Sequence, residues 1–159
     1  MDQPKYLEFN EINVDELVAL LNKPIIRKHL IEHEVFDVVS AKSWIEEKIK
    51  VNEITGCRVR GVYINTDLVG WCGIQLEKGN YEIAIIIDDK VWGLGRTIFN
   101  DIMKWAKELG HHELFIHFLH TRPEYKFLNK IATNVFITEL YGSKFTTYQL
   151  NVNKGLTRR

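Results

Sequence analysis

Tyr81-Glu82-Ile83-Ala84-Ile85-Ile86-Ile87-Asp88-Asp89-Lys90-Val91-Trp92-Gly93-Leu94-Gly95-Arg96 is the stretch whose reading decides the fold. Ile83 to Ile87 is an apolar run, too short for a buried helix and rich in β-branched residues, which predicts a central strand covered on both faces. Beyond the glycines, Ile98, Phe99, Ile102, Met103, Trp105, Ala106 and Leu109 recur at helical spacing and mark one apolar face. Gly110 follows the last of them, where a left-handed C-terminal cap is expected. The unit reads as strand, glycine loop, helix.

A loop of this kind brings free backbone N–H groups and the positive end of a helix dipole to one spot, which suits phosphate. Gly93 and Gly95 lack a Cβ, so a ligand can approach the main chain closely. The loop is not a Walker P-loop, because no Gly-Lys-Ser/Thr ending follows. Nor is it a dinucleotide fingerprint, since Ile98 stands where the third glycine would fall. On the loop alone, a connection without any ligand is an equally good reading.

With these residues in view, the sequence resembles the GNAT acetyltransferase superfamily. The acetyl-CoA loop of that family reads Q/R-x-x-G-x-G/A, and Lys90-Val91-Trp92-Gly93-Leu94-Gly95 fits it with lysine in first place. The branch that acetylates protein N-termini is the nearer likeness, with Glu82 at the spacing expected before a Trp-Gly-x-Gly loop. The resemblance runs from about Lys5 to Val152. It implies acetyl-CoA as co-substrate, held by Lys90 to Arg96 and by the backbone of Ile85 and Ile87. The acceptor it implies is a small amine or a protein N-terminus, with Glu82 as the base.

Composition sets the bounds. A chain of 159 residues is long enough for one domain that buries roughly 70% of its unfolded surface. Basic and acidic residues number 21 each, so no global field steers the protein toward nucleic acid or membrane. The basic end, Lys154 with Arg158 and Arg159, reads as a solvated tail. Met1-Asp2-Gln3-Pro4 lacks the features of a signal peptide, and no apolar stretch approaches the length of a bilayer span. With Thr66-Asp67 as a hairpin tip, Cys72 would face Gly61, so Cys57 and Cys72 are expected as free thiols in a reducing cytoplasm. His111-His112 and His117-x-x-His120 lack acidic or cysteine partners at ligand spacing, and no metal is expected.

Along the chain, Tyr6 to Phe9 reads as a first strand. Asn13 and Glu16 cap a helix through Val14, Leu17, Val18 and Leu21, which Pro24 closes. Ser43 and Glu46 suggest a second cap ahead of Trp44, Ile45 and Ile49. Cys57 to Ile64 and Leu68 to Leu76 form a hairpin, and Gly79-Asn80 turns into the strand bearing Glu82. Leu114 to Phe118 is the next strand. Thr121-Arg122-Pro123-Glu124 reads as a capping box for a helix with the stripe Phe127, Leu128, Ile131. Val135 to Tyr141 and Lys144 to Val152 close the chain as a hairpin. The expected fold is α/β, one domain with a mixed, mostly antiparallel sheet flanked by helices, in the order β-α-α-β-β-β-α-β-α-β-β.

Acyl transfer from a thioester to an amine needs a base, a polarised carbonyl and a proton for the leaving thiol. Glu82, buried against Tyr81, Ile83 and Ile85, would have its pKa raised toward useful values; the bland alternative is an exposed edge carboxylate. His117 is a second base candidate, weighed below an ordinary half-buried strand histidine. The sequence departs from the family at the thiol end, where Thr121 and Leu128 stand at the positions of an asparagine and a tyrosine. Glu124 replaces the serine of the N-terminal branch, and Ala132-Thr133 replaces a Gly-Phe. Tyr125, nearby on a different helical face from Leu128, is the substitute candidate for the acid, weighed below a plain role in core packing. These departures support a second reading, a non-catalytic assembly or interaction module, of the sort reused in viral particles. The final hairpin is the expected interface, and a homodimer fits either reading.

Overall fold

The structure, a computed structural model, describes residues 3–28, 34–122 and 125–153, with the side chain of Trp92 excepted. The tail from Lys154, the histidines at 29 and 33, and Pro123-Glu124 lie outside the described residues.

Seven strands form one sheet: β1 (Lys5–Leu7), β2 (Arg58–Ile64), β3 (Asp67–Glu77), β4 (Asn80–Ile87), β5 (Glu113–Leu119), β6 (Ala132–Leu140) and β7 (Ser143–Asn151). Their spatial order is β1-β2-β3-β4-β5-β7-β6. Every neighbouring pair is antiparallel except β4 with β5. A parallel pair requires a crossover, and the helix α4 (Gly95–Glu108) supplies it. That helix ends as its pattern predicts. Gly110 takes φ 84°, its N–H donates to Lys107 O, and His111 N–H donates to Ala106 O at 2.9 Å, the paired bonds of a Schellman cap.

The strand from Ile83 to Ile87 lies in the middle of the sheet and packs on both faces, but only Ile83 is fully buried and Ala84 to Ile87 are partly open. Ile83, Ile85 and Ile87 pack with Ile98, Phe99 and Ile102 of α4. Ala84 and Ile86 turn the other way, toward a second core around Leu17, Leu20 and Trp71. That core is roofed by α1 (Val14–Leu21), α2 (Pro24–Lys28) and α3 (Val38–Glu53). The chain order is therefore the expected one with a short helix more, α2.

Local details correct the sequence reading at four places. Pro24 opens α2, because a missing N–H is harmless in a first helical turn. Asp37, not Ser43, caps α3: its carboxylate accepts from Ser40 N–H at 2.8 Å, and Ser40 Oγ accepts from Asp37 N–H at 2.9 Å. Both segments carry a cap signature, and the added turn places Ala41 in the core as well as Trp44, Ile45 and Ile49 against it. The first hairpin turns at Asn65-Thr66, with Asn65 at φ 53°, and Cys72 lies opposite Arg60, not Gly61. The next hairpin turns at Lys78-Gly79, not Gly79-Asn80. Both cysteines are buried and free.

The last helix, α5, spans only Lys126–Ile131, with Tyr125 at its N-cap position and no side chain bonding there. Thr121 therefore does not cap it, and sits exposed in the turn after β5. Strands β1 and β6 are the two sheet edges, and Val135, Phe136 and Ile137 are exposed along β6. No helix among the described residues is long and apolar enough to cross a membrane.

Candidate active site

The parallel pair at the centre of the sheet is short. Strand β4 meets β5 only at Glu82↔Phe115 and Ile83↔Ile116, while it stays paired to β3 along its whole length. Beyond Ile83 the two strands part. Asp88 N–H donates to Val69 O on β3 at 2.8 Å, and strand N–H groups face alternate sides. Counting back, Ile86 and Ala84 face β3, and Ile87 and Ile85 face the side where β5 no longer pairs. Two backbone donors thus point into the gap.

A cavity opens on each face of the sheet at this gap. The first, about 360 Å³, lies on the α4–α5 face and is lined by Ile85, Ile87, Gly95, Arg96, Phe118, Arg122 and Tyr125, among others. The second, about 340 Å³, lies on the α1–α3 face and contains Glu82, Gln75, His117 and Trp71. Ile85, Ile86, Ile116, Phe118 and Arg122 belong to both walls. The cavities therefore meet where the strands separate.

On the first face the site is a helix start. No side chain caps α4, which runs on from a 3-10 turn over Asp89–Leu94, and its start carries the positive end of the helix dipole. A Cβ at Gly95 would meet nothing within 4 Å; this glycine is required neither by packing nor by a positive φ, and open space lies beyond it. Arg96 stands at the same spot, its guanidinium 4.1 Å from the Phe127 ring. The helix dipole and an arginine suit a pyrophosphate, and the apolar remainder of the cavity suits an extended hydrocarbon-amide arm. The other residues of the expected loop are placed differently. Leu94 is buried in the core, Val91 packs against it, and Lys90 points outward with its Nζ 3.9 Å from Asp88. Gly93 is exposed beside them.

Asp88, almost wholly buried, anchors the loop. Its carboxylate pairs with Lys23, between α1 and α2, and accepts from Lys90 N–H at 3.3 Å. Burial alone would raise its pKa, but the Lys23 bond and the further hydrogen bonds outweigh it and hold the carboxyl below its ordinary value.

On the second face Glu82 is the centre. Its side chain is 15% exposed and lies on a central strand, not an edge. Gln75 Nε2 donates to Oε1 at 3.0 Å, and His117 Nε2 lies 3.3 Å from Oε2. Burial raises the Glu82 pKa above its ordinary value, against the opposing Gln75 bond. Burial likewise lowers that of His117, whose Nδ1 is 2.7 Å from Thr147 Oγ1. Burial thus disfavours the charged form of both neighbours, raising the carboxyl and depressing the imidazole. Lys48 Nζ donates to Gln75 Oε1 at 3.0 Å, and burial lowers its pKa to about 8.

Tyr125 lies across the gap, on the first cavity, its hydroxyl accepting from Arg122 and its ring 4.9 Å from that of Phe118. Leu128 is buried in the same wall. The sequence reading placed Glu82 and Tyr125 by resemblance and neighbourhood. It missed Gln75 and Arg122 and set His117 aside. Only the register of β3, β4 and β5 puts these side chains at one point. No group of three or more His, Cys, Asp or Glu that could hold a metal ion occurs among the described residues.

A mixed seven-stranded sheet, splayed at its one parallel pair with a crossover helix behind it, is the GNAT acetyltransferase fold. A protein from Bordetella pertussis described as a GNAT-family acetyltransferase has a TM-score of 0.75 at 9% identity, over 94% of this chain and 96% of its own. The microcin C7 self-immunity acetyltransferase MccE, solved with acetyl-CoA and AMP, gives 0.72 at 16% identity over 95% and 93%. Salmonella typhimurium yncA, described as an acetyltransferase and solved with its cofactor acetyl-CoA, gives 0.64 at 13% identity over 94% and 93%. At these identities the likeness is one of fold. No protein-family model and no curated protein sequence matches the chain.

Proposed function

We propose that this chain is an acetyl-CoA-dependent N-acetyltransferase acting on a small amine or a peptide N-terminus. The observation that carries the reading is the meeting of two cavities through the parted strands, with Glu82 on one side and Tyr125 on the other. Relatives of this fold solved with acetyl-CoA support it. The narrower likeness to enzymes of protein N-termini has no support in those relatives, and the peptide acceptor stays as one arm of the assay.

The first cavity would hold acetyl-CoA, with Gly95, Arg96 and the first turn of α4 at the pyrophosphate; when bound it supplies the thioester. The Ile85 and Ile87 N–H groups would donate to the carbonyl oxygen as charge builds there. Glu82, steadied by Gln75 and His117, receives the proton that the amine gives up as its N–C bond forms. The Tyr125 hydroxyl supplies the proton that the departing sulfur takes as the C–S bond breaks, with the Arg122 guanidinium beside it to stabilise the phenolate left behind. A non-catalytic module would have no use for this convergence.

Thermal melting with and without coenzyme A tests the site. A ligand that binds only the folded state raises Tm by mass action, by about 2.7 kcal/mol of stability at a hundredfold excess over Kd. Gly95→Glu should abolish the shift while leaving the ligand-free Tm within a degree or two, because open space surrounds that position. No shift in the wild type with millimolar coenzyme A sinks the transferase reading.

A further inference from the structure

The second cavity has a chemistry of its own. Its wall is aromatic, with Phe36, Trp44, Trp71 and Phe145 around the space that Glu82 faces, and Glu77 beside them. Trp44 and Trp71 meet edge to face at 5.4 Å and Phe9 braces both, so the wall is rigid. Among the described residues, the charged ones lining it are Glu82, Glu77 and Arg122. Glu82 lies inside beside His117, and Glu77 is held by the Tyr141 hydroxyl. Lys48 Nζ sits 4.3 Å from the Trp71 ring and 5.3 Å from that of Trp44, a cation already in place on the aromatic face.

These features select among amines. A polyamine or an aminoglycoside carries several ammonium groups, each needing a carboxylate, and its second charge would approach Lys48 across a poorly screened space. A phosphorylated acceptor would need a cluster of cations, whereas among the described residues Arg122 lines this wall alone and Lys48 is committed to the Trp rings and to Gln75. A flat apolar body, by contrast, gains burial and ring contacts from the walls, and a single ammonium then reaches Glu82. Resting on the transferase reading, we propose that the acceptor is a monoamine built on an aromatic or comparably flat apolar body. Its ring lies against the Trp44–Trp71 wall and its nitrogen faces Glu82 at the gap between the strands.

The test has two arms with the intact protein. Intrinsic tryptophan fluorescence is titrated with 2-phenylethylamine, n-butylamine and spermidine without any coenzyme, so the pocket is read independently of turnover. Release of coenzyme A from acetyl-CoA is then measured with the same amines, an aminoglycoside and the dipeptide Ala-Ala. The expected result is a saturable fluorescence change with 2-phenylethylamine alone, and a kcat/KM for it about 10- to 100-fold above that for n-butylamine. Trp44→Ala should bring that ratio close to one, and Trp44→Phe, which keeps a ring and guards against a folding defect, should retain most of it. Saturable binding or faster turnover with spermidine, the aminoglycoside or the dipeptide overturns the proposal. So does equal use of butylamine and phenylethylamine, an outcome that leaves the transferase reading intact. Where coenzyme A does not bind at all, that reading fails separately, and the fluorescence titration decides this one alone.

Discussion

Glu82→Gln isolates the chemistry of one carboxylate. Glutamine has the same shape, and the surroundings can satisfy it. Its amide oxygen can accept from Gln75 Nε2, now 3.0 Å from Oε1, while its NH₂ faces the neutral His117 Nε2, 3.3 Å from Oε2. No buried donor or acceptor is orphaned, so the variant should fold. The proton acceptor, however, is gone. General base catalysis contributes about 10²- to 10⁴-fold, equivalent to about 3 to 5 kcal/mol of barrier at 1.36 kcal/mol per decade. Coenzyme A release with any amine that turns over should fall by that factor at pH 7. It should recover in part toward pH 10, where the amine sheds its proton unaided.

The same variant makes a thermodynamic prediction. The folded pKa of Glu82 is raised above its ordinary 4.5 by burial, so the folded state holds this proton more tightly than the unfolded one. That contribution to stability is complete below pH 4.5 and is lost as pH rises through the folded pKa. Glutamine cannot ionise, so Tm of the variant relative to wild type should climb as pH goes from 4 to 7. Equal kcat/KM of variant and wild type at pH 7 would remove Glu82 from the mechanism. A Tm difference independent of pH would remove the buried-carboxylate argument.

Two further perturbations probe the supports of the site. Tyr125→Phe should lower kcat by about 10²-fold or more, the lower range of general acid catalysis, with KM for acetyl-CoA little changed; an unaltered kcat would dismiss the hydroxyl as proton donor. Lys23→Met should strip Asp88 of its direct partner and leave a nearly fully buried carboxylate with Lys90 at 3.9 Å. The cost should be about 1–3 kcal/mol at pH 7, measured by urea unfolding. Because the folded pKa of Asp88 is depressed below its ordinary 3.8, the wild-type advantage should shrink as pH falls below that value, and a deficit constant down to pH 2 would refute the ion-pair account.

The sequence by itself determined the elements that rest on local rules. A β-branched run, a glycine loop, a 3.6-residue stripe and a terminal glycine specify β4, its loop and α4, because periodicity and backbone permissiveness act within a few residues. The likeness to GNAT proteins drew on that same span. Local rules misplaced a cap and a turn. Ser43-x-x-Glu46 read as the cap of α3, yet Asp37 with Ser40 caps it more than a turn earlier; Asn65-Thr66 displaced Thr66-Asp67 because pairing of β2 with β3 fixes the turn. Which side chains surround Glu82 was decided by tertiary structure alone. Gln75, Glu82 and His117 lie on three different strands, and a register slip of one residue would send each to the opposite face of the sheet. The gap at which the two cavities adjoin arises because β4 and β5 pair at only two positions, and the length of a pairing is a property of two strands, not of either one.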